Sequence, residues 1–164
     1  MGYATQNTVN FTHSGAYAGT VNKQKPHSID SKVSTDAALI NYGVGVVTDG
    51  ADGVKNVVGD EADLSTYAGM AIRDYGHLTF EADKDGYSKG QNVGVCPMGE
   101  VYCLVCEDVT ADQEVFLRIG ATDRGLYCNA AGTDATKSLK LPGVCKFKND
   151  GAKGTIVKAT FNLG

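Results

Sequence analysis

The sequence predicts an all-β domain with the strand spacing of a barrel or sandwich, and three observations carry that prediction. The first is the run from Tyr87 to Arg118. Val93 and Val95 alternate with small or polar residues, Pro97-Met98-Gly99 supplies a turn, and Val101 to Cys106 is β-prone throughout, which predicts a hairpin. Thr110-Ala111-Asp112-Gln113 then reverses the chain and Val115-Phe116-Leu117 opens another strand, so three strands fit into about thirty residues. The second observation is 21 glycines against 3 prolines, a balance suited to many turns and close backbone approaches. The third is that no long helical pattern and no fixed-period repeat occurs anywhere in the 164 residues.

The elements follow in chain order. Residues 1–36 are polar, rich in Gly, Ser, Thr and Asn, and carry the basic patch Lys23-Gln24-Lys25-Pro26-His27, so they read as an extended arm preceding a domain of residues 37–164. Such an arm has too little apolar area to offset its own ordering entropy and is expected to order against a partner or to stay a mobile terminus. Ala37 to Val47 has the apolar, β-branched content of a strand, Thr48 to Gly53 turns the chain, and Val54 to Val58 completes a hairpin. Tyr67 to Arg73 reads as a strand with Ala68, Met70 and Ile72 on one face; Gly69 weakens the competing helix. His77 to Lys89 is a charged excursion. Leu139 to Leu141, Val144 to Phe147 and Thr155 to Leu163 close the domain, the last with Val157, Ala159 and Phe161 on one face and Ile156, Lys158 and Thr160 on the other.

Charge and motifs exclude several functions. Fifteen basic and 19 acidic residues give a net charge of −4 with the basic residues scattered, so no nucleic-acid partner is expected. No apolar run reaches the roughly 18 residues of a membrane span, so no membrane partner is expected, and the N-terminus lacks the order of a signal peptide, which predicts synthesis in a cytosol. The acidic clusters at Asp60, Glu61, Asp63 and at Glu81, Asp83, Asp85 lack the spacing of a calcium loop. Gly43-Val44-Gly45 lacks the third glycine and the helix of a dinucleotide fingerprint. With no nucleophile elbow, zinc helix or phosphate loop, neither an enzyme nor a cofactor is predicted; a small hydrolase would need His77 to meet a carboxylate in a cleft.

Five cysteines, Cys96, Cys103, Cys106, Cys128 and Cys145, form the one chemically loaded set, and an odd number forbids complete pairing within one chain. Cys103 and Cys106 spell C-x-x-C, but residues three apart on a strand diverge, and no second pair or spaced histidine completes a zinc site. These two read as small core residues. Cys96, Cys128 and Cys145 sit beside turns and are the candidates for accessible thiols that pair between chains.

Tyr67-Ala-Gly69-Met-Ala-Ile-Arg73, Tyr87-x-x-Gly90-x-x-Val93, Gly99-x-Val101, Val109 to Arg118, Leu141-Pro-Gly143 and Gly154-x-Ile-Val157 with Asn162 resemble the structural cement proteins of tailed phages. That resemblance implies a compact β-barrel or jelly-roll-like domain without enzymatic activity. It would sit on the outside of a double-stranded DNA phage capsid, clamp neighbouring major capsid protein subunits, and use extended terminal arms. It further implies a homo-oligomer, dimer or trimer, localised to the virion after assembly in the host cytoplasm. Capsid or subunit contacts are expected at Lys23, Lys25, Pro26, His27, His77 and Phe80. Two departures stand out: Gln113 occupies a turn position where the family commonly has Gly, and five cysteines point to covalent reinforcement of the clamp. The competing reading is a carbohydrate- or receptor-binding β-domain of a virion surface, which the absence of Trp and the dispersal of the 8 Tyr argue against.

Overall fold

The computed structural model describes residues 17–60, 63–73 and 86–164. Its strands are β1 (Thr20–Val21), β2 (Ser28–Ser34), β3 (Ile40–Asn41), β4 (Gly45–Asp49), β5 (Gly53–Asn56), β6 (Tyr67–Ala71), β7 (Gly86–Tyr87), β8 (Asn92–Leu104), β9 (Phe116–Arg118), β10 (Tyr127–Cys128), β11 (Ser138–Lys140), β12 (Lys146–Phe147) and β13 (Ile156–Asn162). The strands β8, β2, β5, β4 and β6 pair in that order, and β6 pairs back onto β8, closing a five-stranded barrel. The β2–β5 pairing is parallel and the others are antiparallel. The all-β expectation holds, and so does the β4–β5 hairpin around Gly50, whose positive φ of 77° the turn requires.

Adjacent residues on the barrel wall serve two separate cores, because successive side chains on a strand point to opposite faces. Val46, Val54, Ala71, Val93 and Val95 fill the barrel, and Ile40 on β3 and Tyr87 on β7 join the same cluster. Val47, Met70 and Cys96 face outward into a larger cluster under the second sheet, β10-β9-β11. That cluster also receives Val101 and Cys103 from β8 and Val157, Ala159 and Phe161 from β13. The predicted alternation of β13 is thus realised: Val157, Ala159 and Phe161 are buried while Ile156 is exposed.

Three expectations need correction. Pro97-Met98-Gly99 is not a hairpin turn but the middle of β8, a single strand of 13 residues. Pro97 lacks an N–H, and it is tolerated because β8 changes partners there: Val95 and Cys96 face β6, whereas Met98 onward faces β13. Ala68 does not share a face with Met70 and Ile72; Ala68 packs on the barrel core and the other two on the larger core. The β4–β6 register slips between Val46 and Val47, and Gly69, opposite Val46, has φ 140° with its Cα so near β8 that a Cβ would lie 2.6 Å from the Cys96 carbonyl oxygen. Finally, the described part of the supposed arm, residues 17–36, supplies β1 and β2 to the sheet. Its side chains are polar because β2 is held mainly through its backbone, between β8 and β5, with Ile29, Asp30 and Ser31 turned to solvent.

Candidate functional site: an outward sheet face beside a basic turn

Past Pro97, β8 and β13 bury one face in the larger core and leave the other outward, where Met98, Glu100, Tyr102, Ile156, Lys158 and Thr160 lie. The turn joining β1 to β2, residues 22–27, stands against this face. Asn22 builds the turn: its N–H donates to the Glu100 carbonyl oxygen at 2.8 Å, its side-chain amide to Glu100 Oε1 at 2.6 Å, and its Oδ1 accepts from the Gln24 N–H at 3.1 Å. His27 closes it, with Nδ1 2.8 Å from the Lys25 carbonyl oxygen. Lys23, Lys25 and Pro26 are therefore presented, exposed, on a fixed backbone. Four expected contact residues come together here.

Two depressions flank the turn. The larger, about 760 Å³, is lined by Val21 to Gln24, Tyr102, Asn149, Ile156 and Lys158. The smaller, about 350 Å³, lies between Lys25, Pro26, Met98 to Glu100 and Thr160 to Asn162. Lys158 Nζ lies 3.6 Å from Glu100 Oε1 and 5.6 Å from the centre of the Tyr102 ring. These outward residues were hidden from sequence reading because only the β8–β13 register sets Glu100 opposite Thr160 and Tyr102 opposite Lys158.

The Asn22 hydrogen bond holds the Glu100 carboxyl below the usual carboxylate range, outweighing the effect of burial, with Lys158 adding to it. A carboxyl whose folded pKa is depressed contributes stability that is present above its unfolded value of about 4.3 and lost as pH falls through the folded value. The expected result is that Glu100→Gln unfolds with a shallower pH dependence than wild type below about pH 4.3, read from urea midpoints across that range. Identical slopes would remove Glu100 from the acid response.

At one end of the barrel the Arg73 guanidinium lies between two rings, 5.1 Å from the centre of Tyr17 and 4.7 Å from that of Tyr42, and Tyr42 meets Tyr87 edge-on at 5.1 Å. The Arg73 N–H donates to the Gly19 carbonyl oxygen at 2.8 Å. Tyr17 and Arg73, each bordering a stretch outside the described residues, are thereby held side by side. His77 and Phe80, the other two expected contact residues, lie outside the described residues.

The expectation of accessible thiols is corrected. Cys96, Cys128 and Cys145 are buried, as are Cys103 and Cys106, and all five are free thiols. Cys96 is not beside a turn but inside β8, where it joins the larger core with Val101 and Phe161; Cys145 joins the same core with Phe147 while its neighbours Val144 and Lys146 are exposed. Burial pushes the Cys96 thiol up to about 11 and Cys103 up to about 12, as expected of inert core residues. Among the described residues no group of three or more His, Cys, Asp or Glu is placed to hold a metal ion.

The model of the family described as "Structural cement protein (E217 gp24/Pam3 gp6)" matches residues 5–162. The chain belongs to the structural cement protein family. Its role is that of a structural phage virion protein. Among solved structures, a chain of "The capsid of Myoviridae Phage XM1" matches with a TM-score of 0.74 and 22% identity over 98% of each chain, so the two chains share a fold. A second, "The crystal structure of head fiber gp8.5 N base in bacteriophage phi29", has a TM-score of 0.44 and 11% identity over 85% of this chain and 97% of that one. A search of curated proteins finds no match. The 110–113 turn does not need glycine at Gln113. Asp112 carries the positive φ, 66°, leaving Gln113 free to bridge, its Oε1 accepting from the Thr110 N–H at 2.8 Å and from Asn129 Nδ2 at 2.9 Å.

Proposed function

We propose that this cement protein binds the outside of a double-stranded DNA phage capsid as a dimer or trimer and clamps neighbouring major capsid protein subunits through the face marked by Lys23, Lys25, Pro26 and His27. The observation that carries the reading is the rigid basic turn between two depressions on an otherwise acidic chain of net charge −4. A preordered cationic loop beside apolar side chains, Met98 and Ile156, suits an acidic and partly apolar surface on a neighbour, and needs little ordering on binding. Repetition over a shell adds the strength that one small patch lacks. The reading involves no catalysis.

The test is binding to shells that lack the protein. Lys23→Glu with Lys25→Glu is expected to lower affinity for such shells about tenfold or more and to reverse its salt dependence, while the melting temperature stays close to wild type. Unchanged occupancy of the shells by the double variant would place the contact elsewhere.

A further inference from the structure

The structure brings together two cysteines that lie apart in sequence. Val105 and Tyr127 form a parallel bridge, so their successors, Cys106 and Cys128, are neighbours on adjacent segments. The Cys106 N–H donates to the Tyr127 carbonyl oxygen at 2.9 Å, and Cys106 Sγ donates to the same oxygen at 3.3 Å. Neighbouring strands are about 4.8 Å apart, inside the Cα separation of roughly 4.4 to 6.8 Å that a disulfide spans. Paired positions on parallel segments project to the same side, so the two thiols lie side by side.

A buried cation stands beside the pair. Arg118 is 2% exposed, ion-paired to Glu107 through one nitrogen, and its buried Nε has no partner. Its positive charge acts on both sulfurs. Ser138 Oγ lies 3.1 Å from Cys128 Sγ, and the Ala130 carbonyl oxygen 3.5 Å away. The neighbouring Cys106, outweighing burial and helped by Ser138 and Arg118, pulls the Cys128 thiol down, while Cys128 in turn pushes Cys106 up. Cys96, Cys103 and Cys145 have no such cation; burial pushes all three up.

We propose that Cys106 and Cys128 are a reactive dithiol that a peroxide oxidises to an intrachain disulfide, tying the segment after β8 to the end of β10. The Cys128 thiolate sulfur attacks one peroxide oxygen, the O–O bond breaks, and the departing hydroxide takes a proton, leaving a sulfenic acid on Cys128. The Cys106 sulfur then attacks the Cys128 sulfur, the S–S bond forms as the S–O bond breaks, and the Cys106 proton leaves with the hydroxide as water. Two thiols are oxidised and one peroxide is reduced to two waters. With both sulfurs almost wholly covered, the reaction proceeds through local opening, and it closes a loop from residue 106 to residue 128. It is independent of the capsid-binding reading, since it requires only this chain and the oxidant.

The experiment treats the reduced full-length chain with hydrogen peroxide under native conditions, then denatures it and counts free thiols. The count is expected to fall from five to three with the protein still monomeric on non-reducing gels, and peptide mapping is expected to show one Cys106–Cys128 cross-link reversed by dithiothreitol. The oxidised form should melt about 5 to 10 °C higher. Cys106→Ser should form no disulfide and instead carry a dimedone-reactive sulfenic acid at Cys128. Retention of all five thiols, a cross-link at another pair, or disulfide-linked dimers would each overturn the assignment.

Discussion

A chain that begins at Thr35 is expected not to fold. Read as a linear text, residues 1–36 invite removal, because they are polar and weakly periodic. In the barrel, however, β2 is the bridge between β8 and β5. Its loss unpairs Lys32 and Val33 from Val93 and Asn92 on one side, and Val33 and Ser34 from Gly53 and Val54 on the other. Val21, which joins the larger core, and the Gly19–Arg73 backbone bond go with it. Two bare edges and an opened core leave a domain whose total stability is only about 5–15 kcal/mol without a closed barrel. The outcome to look for is aggregation or a non-cooperative thermal transition in the Thr35 chain. A chain beginning at Tyr17, which keeps both strands, should melt cooperatively. If the Thr35 chain melts within about 5 °C of wild type, barrel closure is dispensable.

Phe161→Ala is expected to cost about 3–5 kcal/mol, the range for emptying a buried aromatic site. Phe161 is fully buried on β13, and its ring centre lies 5.4 Å from that of Tyr127 at an interplanar angle of 55°. Tyr127 in turn is bonded through its hydroxyl to that of Tyr67 at 3.1 Å, so the ring contact links β13, β10 and β6 across the core. Truncation leaves a cavity that these strands, tied to three different partners, cannot collapse to fill. Ile156 supplies the comparison on the same strand: its side chain faces out and is 37% exposed, and Ile156→Ala should cost under about 1 kcal/mol. Urea denaturation of both variants decides the matter, and comparable losses would mean that the two faces of β13 are not distinguished by burial.

The contrast between these residues also shows where sequence reasoning succeeds. β13 was legible because Val157, Ala159 and Phe161 alternate strictly with Ile156, Lys158 and Thr160, and one buried face imposes that alternation. The β4–β5 hairpin was legible because its turn is local and announced by glycine. β2 was not, since Ser28–Ser34 is stabilised by backbone bonds to distant strands and buries little side chain. Pro97 misled for the converse reason: a local turn signal was overruled when β8 exchanged β6 for β13 at that residue. The site divides the same way. The basic patch at Lys23 and Lys25 is visible as text, whereas the Asn22–Glu100 bonds that stiffen it join residues 78 apart.

Strand composition, turn chemistry and the alternation of single strands depend on neighbours in the chain, and from them the all-β class and the cement resemblance followed from the residues alone. Barrel closure through β2, the continuity of β8, the burial of all five cysteines and the meeting of Cys106 with Cys128 depend on which strands pair and in what register. Pairing is settled by long-range burial and by the need to satisfy every strand edge, and neither quantity is a property of any local segment.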